Sequence, residues 1–220
     1  MRLDEVRKYY DVLKSRESNL LFKRFFDIVA SSLLLIVLSP FFLVLAVFIK
    51  ADSPGPVFYR QERVTQYGKI FRIHKFRSMC DKADERGSLV TVNNDSRITR
   101  VGRFIRKYRL DEISQLIDVL AGNMTFVGTR PEVPSYVASY TPEMMATLLL
   151  PAGITSEASI RYKDEEKLLD GCEDVNRTYV EQVLPAKMVY NLQSLIDFSL
   201  FDEFKTLVRT ALAMCGKDYD

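Results

Sequence analysis

From Ile28 to Ile49 the chain carries no charged side chain. This run of about 22 residues is long enough to cross a bilayer, which takes roughly 20 apolar residues. A core helix of a water-soluble protein keeps a polar stripe, which this run lacks. A cleaved signal peptide would begin earlier and be followed by a small-residue cleavage site, also missing. Two details distinguish a plain span from a hairpin. Ser39-Pro40 lies near the middle, where proline removes a backbone donor and bends a helix. Basic residues flank both ends: Lys23 and Arg24 before, Lys50 after, with Lys14 and Arg16 beyond one end and Arg60 and Arg63 beyond the other. A single span should be asymmetric in positive charge. The symmetric flanks predict a helix–break–helix hairpin that enters and leaves by the cytoplasmic face, broken at Ser39 and Pro40. The competing reading is a single transmembrane anchor. Asp27, beside Arg24 at the boundary, reads as a structural pair or a cap.

The rest of the composition narrows the chemistry. The 220 residues suit one ordinary domain plus an appendage. A formal charge of +2 gives no global field that would draw nucleic acid. His74 is the single histidine, which excludes any site needing two imidazoles and leaves a nucleophile triad only one base. Neither GxGxxG nor GxxxxGK[ST] occurs, so nucleotide phosphates would have to be held by side chains or a metal. Cys80, Cys172 and Cys215 are odd in number and lack CxxC spacing, as expected of reduced thiols facing the cytosol.

The expected organisation is an amphipathic surface segment over 1–22, the membrane helix over 23–50 and a cytosolic catalytic domain over 51–220. The first segment is expected to lie on the membrane or pack on the domain. Pro54-Gly55-Pro56 is a rigid exit turn. Short strands are expected at Val57-Phe58-Tyr59 and over Ile70 to Phe76, the second alternating around a turn at Gln66-Tyr67-Gly68-Lys69. Residues 81–97, with Asn93-Asn94-Asp95, read as a loop. Val101, Phe104, Ile105 and Tyr108, then Ile113, Leu116, Ile117 and Leu120, recur at helical spacing, with Gly122 as the stop. Further helices are expected around 164–169, around 176–184 and from about Phe201 to Met214. The fold class is a helix-rich α+β protein docked on the bilayer.

Three elements can carry chemistry. Asp111 and Glu112 stand between the two helical patterns. Asp111 falls where an N-cap would ionise a carboxylate, and an ionised carboxylate is a competent nucleophile. Glu112 can offer oxygen to Mg²⁺; Arg106 and Arg109 bring cations. In the FRIHKFR stretch, Lys75 and Arg77 suit phosphate oxygens. Gly128-Thr129-Arg130-Pro131 is a tight turn that can present Arg130 to an anion. Each has a plain alternative: an ordinary acidic cap, a charged strand edge, and a loop arginine in a surface ion pair. His74 reads as a packed strand residue.

In combination, the pieces FKRFFDIVASSLLLIVLSP, GPVFYRQERV, FRIHKFRSM, NDSRITRVGRFIRKYRLDEISQLIDVLAGNMTFVGTRPE and PAGIT resemble the bacterial sugar transferases, the small monotopic phosphoglycosyl transferases. The resemblance runs from about Phe22 to Met214 and is to the members without an extra multi-span N-terminal region. It implies a re-entrant membrane helix, interfacial helices around the site, and a location on the cytoplasmic face of the bacterial inner membrane. It also implies that Asp111 attacks a UDP-sugar, that UMP leaves, and that undecaprenyl phosphate then takes the phosphosugar. By the same resemblance Glu112 is the carboxylate associated with Mg²⁺, or with Mn²⁺ in its place. Lys75, Arg106 and Arg130 match basic residues that face phosphates. Both substrates repel a carboxylate, so cations must neutralise them.

The chain departs from the family pattern at Thr129, where proline is usual, at Arg109, where a small polar residue is usual, and over Ser156-Glu157-Ala158-Ser159. The competing functions are a glycosyltransferase that releases UDP and a non-catalytic membrane scaffold. The identity of the sugar, the glycoconjugate pathway and any homo-oligomer stay open at this stage.

Overall fold

The computed structural model describes residues 4–81, 83, 95–169, 172 and 174–214. Helix α1 (Asp4–Ser15) buries Val6, Tyr9 and Leu13, spaced to share one face. They pack against Ala146, Leu149, Leu195 and Phe198, so this segment docks on the domain. Lys8 Nζ and Tyr9 Oη both donate to Glu143 Oε1 at 2.8 Å.

Helix α2 (Glu17–Asp52) begins inside the stretch expected to be a separate surface segment and runs for 36 residues. Pro40 lies within it, and the helix is continuous through Ser39 and Pro40, so the expected break is not an interruption of the element. Ser39 Oγ donates to Ile36 O at 2.8 Å beside the lost proline donor. The burial pattern of α2 is inverted relative to a soluble helix. Lys23, Asp27 and Ser31, at successive i,i+4 positions, are 6%, 2% and 0% exposed, while Leu33, Ile36, Leu43 and Val47 are 61%, 72%, 70% and 68% exposed. One apolar window of mean hydropathy 2.9 is only 11% buried, which sets this helix apart from a buried core helix and makes it long and apolar enough to cross a membrane.

Both ends of α2 dock on the folded body. Asp27 does not pair with Arg24. Its Oδ2 accepts from Thr125 Oγ1 at 2.7 Å and its Oδ1 from Phe126 N at 3.3 Å. Arg24 donates to Val119 O and Leu120 O at 2.7 and 3.0 Å. Lys23 donates to Val127 O at 2.9 Å and to Glu203 at 2.6 Å. At the other end Leu45 and Ile49 join a cluster with Phe76 and Ile105, against which Phe42, Leu110 and Ile113 pack.

The sheets are small. Strands β1 (Phe58–Val64) and β2 (Ile70–Phe76) form an antiparallel hairpin with Phe58 opposite Phe76 and Val64 opposite Ile70. β1 extends well past the expected Tyr59. The turn between them places Tyr67 and Gly68 in the left-handed region, at φ 57 and 77. Helix α3 (Arg100–Lys107), a 3₁₀ turn (Ile113–Gln115) and α4 (Leu116–Leu120) follow the expected spacing, and Gly122 closes them at φ 83. The polar stretch read as a loop over 81–97, including Asn93 and Asn94, lies largely outside the described residues.

Strands β3 (Met124–Val127) and β4 (Ala152–Thr155) pair in parallel, an element the sequence reading did not contain. Between them lie α5 (Pro134–Val137) and a 3₁₀ stretch (Met144–Leu149). After β4 come α6 (Glu157–Arg161), α7 (Glu165–Leu168) and α8 (Val175–Thr178). A π turn (Tyr179–Val183) then leads into α9 (Leu184–Ile196), and α10 (Leu200–Met214) follows. The expected helix over 176–184 therefore continues to Ile196. Pro185 lies directly after the π turn, inside this continuous helical run.

Candidate active site

The Asp111-Glu112 pair is set by the way α3 ends. Leu110 N donates to Ile105 O at 2.9 Å and Arg109 N to Arg106 O at 3.0 Å, the two bonds of a Schellman cap. Leu110 and Ile105 pack in the same apolar cluster, as that cap favours. The left-handed residue is Arg109, at φ 51, where glycine is usual. Such a backbone costs on the order of 1 kcal/mol or more for a residue with a Cβ. Arg109 is tied in place by its guanidinium, which donates to Lys163 O at 2.7 Å.

The chain then turns back onto β2. Phe76 N donates to Asp111 O at 3.0 Å, and Ser114 Oγ to His74 O at 3.0 Å. Asp118, 1% exposed, accepts from His74 N and meets His74 Nδ1, both at 2.8 Å. These bonds fix β2 against residues 111–118 and bring Lys75 to the carboxylates. His74 is thus the packed strand residue that was expected.

Asp111 is not an N-cap. Glu112 precedes the 3₁₀ turn, with helical backbone and no side-chain cap, and Asp111 lies one residue further back in the turn. Among the described residues no hydrogen bond engages the Asp111 carboxylate. Burial pushes its carboxyl above the ordinary range; Glu112 adds to that, while Lys75, Arg106 and Arg130 oppose it. Glu112 is the reverse case. Arg130 grips it with both terminal nitrogens, Nη1 to Oε2 at 3.2 Å and Nη2 to Oε1, and Lys75 Nζ reaches Oε1 at 3.3 Å. Burial alone would raise Glu112, but Arg130 and Lys75 outweigh it and hold its carboxyl far below the usual range. Burial lowers Lys75 against the pull of Glu112, while Glu112 raises Arg130. The two adjacent carboxylates are driven apart: one clamped and ionised, the other unclamped and more easily protonated.

Arg130 is delivered by the β3–β4 pair. Gly128 N donates to Thr155 O at 2.9 Å and Gly153 N to Thr129 O at 2.8 Å. A Cβ on Gly153 would stand 2.2 Å from Gly128 N and O, so only glycine permits this approach. The turn is then held from β1, where Arg63 donates to Pro131 O at 2.9 Å and Val64 N to Glu132 O at 3.0 Å.

Lys75, Arg106, Asp111, Glu112 and Arg130 therefore gather in one place, with Arg106 in the last turn of α3. Arg77 does not join them, contrary to its expected role on phosphate. It is 4% exposed, and its guanidinium donates to Pro54 O at 2.8 Å, to Ser53 O at 2.6 Å and to Ser53 Oγ at 2.9 Å. It binds the C-terminal end of α2 and the exit turn, one residue beyond the end of β2 at Phe76. Sequence reasoning missed Arg63, since β1 was drawn only to Tyr59.

Among the described residues no cluster of three or more His, Cys, Asp or Glu forms an all-protein metal cage. The donor set does fit the looser mode in which Mg²⁺ keeps waters and is held by one or two carboxylates plus substrate phosphates. Asp111 and Glu112 are neighbouring hard-oxygen donors, and the Asp111 carboxylate is unengaged.

The model of the bacterial sugar transferases matches residues 18–217. The chain belongs to the bacterial sugar transferase family. It is 32% identical over 199 residues to the UDP-glucose:undecaprenyl-phosphate glucose-1-phosphate transferase of Caulobacter vibrioides, covering 89% of this chain and 70% of that protein. It is 43% identical over 122 residues to the UDP-N-acetylgalactosamine-undecaprenyl-phosphate N-acetylgalactosaminephosphotransferase of Aeromonas hydrophila, covering 56% of this chain and 29% of the relative. A UDP-glucose:undecaprenyl-phosphate glucose-1-phosphate transferase of Klebsiella pneumoniae is 39% identical over 159 residues, with 70% and 34% covered. The chain thus spans about a third of the length of the last two relatives.

Proposed function

We propose that this family member transfers a sugar 1-phosphate from a UDP-sugar to undecaprenyl phosphate, through a covalent phosphosugar on Asp111. The carrying observation is the asymmetry of the pair: Glu112 is clamped by Lys75 and Arg130, and Asp111 beside it is unclamped. A residue fully engaged in ion pairs makes a poor nucleophile, whereas an unclamped carboxylate next to fixed cations is placed to attack a phosphoryl group. The names of the relatives supply the substrate class.

In this mechanism an Asp111 carboxylate oxygen bonds to the β-phosphorus, the bond to the bridging oxygen breaks, and UMP departs with its electron pair. An oxygen of the lipid phosphate then attacks the same phosphorus and Asp111 is released as a carboxylate. Lys75, Arg106 and Arg130 offset the repulsion between carboxylate and phosphates in both steps. Mg²⁺ bound by Glu112 would lend further positive charge to the diphosphate.

The reading places the protein on the cytoplasmic face of the inner membrane with α2 re-entrant. Arg24 reaches Val119, while Ile113, six residues away on the same short helical segment, packs at the Leu45–Ile49 end. A straight helix would put Arg24 and Ile49 roughly 37 Å apart, at 1.5 Å per residue, so docking both ends on one small body favours a helix bent about Pro40.

The test is the nucleotide product of the purified protein in lipid with a panel of UDP-sugars. UMP, and a phosphosugar adduct located on Asp111 by mass spectrometry, are expected. Release of UDP would overturn the reading in favour of a glycosyltransferase.

A further inference from the structure

Behind Arg130 lies a buried polar network that the proposed reaction does not use. Glu132, two residues after Arg130, is 7% exposed, and its Oε1 accepts from Tyr179 Oη at 2.5 Å. Lys187, 3% exposed, donates to Tyr179 Oη at 3.1 Å and to Glu165 Oε2 at 2.8 Å. Arg63 Nη1 stands 3.9 Å from Glu132 Oε2 while bonding Pro131 O. Two cations and two carboxylates thus neutralise one another around a tyrosine hydroxyl. Burying such a set commonly stabilises a fold no better than apolar side chains of the same size, so stability alone does not account for it.

Its geometry does. Tyr179 opens the π turn, a local distortion often found at functional sites. Its ring stacks on Tyr136 at 4.9 Å, and Tyr136 Oη donates to Asn176 Oδ1 at 2.7 Å. The same part of the chain touches the other side of the site, where Lys163 O accepts from Arg109, two residues before Asp111. Tyr179 and Lys187 therefore hold the arginine turn at Glu132, and Lys163 holds the carboxylate turn at Arg109.

We infer that Tyr179 and Lys187 are positioning residues which, through Glu132, fix the turn that aims Arg130 and so set its reach to the donor diphosphate. This rests on the transferase reading, in which Arg130 faces phosphate. Neither residue touches substrate.

The test uses the full-length protein in lipid and UDP as the probe, with affinity read by calorimetry. Tyr179→Phe, which removes only the hydroxyl, should weaken UDP about ten- to a hundredfold, the scale of a misplaced binding group. In an Arg130→Lys background the same change should add little, because the aimed group is already gone. Lys187→Met should behave like Tyr179→Phe, with Lys187→Arg recovering part of the loss; this pair carries the test if Tyr179→Phe fails to fold. Equal fold-losses in both backgrounds, or unchanged UDP affinity in Tyr179→Phe and Lys187→Met, would overturn the inference. Turnover is scored separately. Coupled UDP binding without turnover on any UDP-sugar counts against the transferase reading alone, and turnover without coupling counts against positioning alone.

Discussion

Lys75 and Arg130 converge on the single carboxylate of Glu112 from opposite parts of the chain, one from β2 and the other from the turn after β3. Glu112 holds both cations still before any phosphate arrives, a form of preorganisation. Asp111 is left without such a partner, and the two neighbours should respond to substitution in opposite ways.

Asp111→Asn should lower turnover by at least about 10³-fold, the scale of losing a nucleophile. It should not destabilise the protein. The folded-state pKa of Asp111 lies above its unfolded value, so its contribution to stability is present at low pH and lost as pH rises through the folded value. At neutral pH the ionised form is a cost that asparagine removes. Thermal melts at pH 7 should therefore show an unchanged or higher Tm, with the gap closing as pH falls. A clear drop in Tm would contradict the burial of this carboxylate.

Glu112→Gln should do the reverse. Its folded pKa is depressed, so its stability is fully present above the unfolded value of roughly 4.3 and is lost only as pH falls through the depressed value. Glutamine leaves two partly buried cations without their counter-charge, which should cost about 1–3 kcal/mol in denaturant titrations at pH 7. Activity should fall with it, and wild-type activity should vanish on chelation with EDTA. Full turnover in excess EDTA would remove the metal from the mechanism.

Arg77→Met should lower Tm, since the carbonyls of Ser53 and Pro54 lose their donor. The KM for the donor should stay where it is in the protein that remains folded. A large rise in KM with an unaltered melt would restore the phosphate role.

Cysteines introduced by Ser18→Cys and Ser53→Cys should both be labelled only from the cytoplasmic side if α2 is re-entrant. Pro40→Leu should straighten the helix and send part of the population across with its N-terminus outside. Periplasmic labelling of Ser18→Cys in otherwise unaltered protein would establish a plain transmembrane anchor.

What the sequence made legible follows the range of the interactions. Helical spacing from Val101 to Leu120 marked the elements that flank Asp111, because that signal is local. The parallel β3–β4 pair was invisible, because it depends on Gly128 and Gly153 meeting from 25 positions apart, and neither strand exceeds four residues. Arg77 was misread for a related reason. An arginine just past a strand end looks the same in sequence whether it meets phosphate or backbone carbonyls, and only the path of α2 decides. Asp111 and Glu112 were found as a pair, but which one is clamped depends on Arg130, supplied by a distant turn.

The buried Lys23–Asp27–Ser31 face of α2 has a practical consequence. A detachable tether could be cut away to release a soluble enzyme, but here the long apolar helix is also a wall of the folded body, bonded to the strand that leads to Arg130. Truncation at the membrane boundary would strip Thr125 and Val127 of their partners. Purification therefore has to carry the helix along in detergent or nanodiscs, because the helix itself is part of the scaffold that shapes the site.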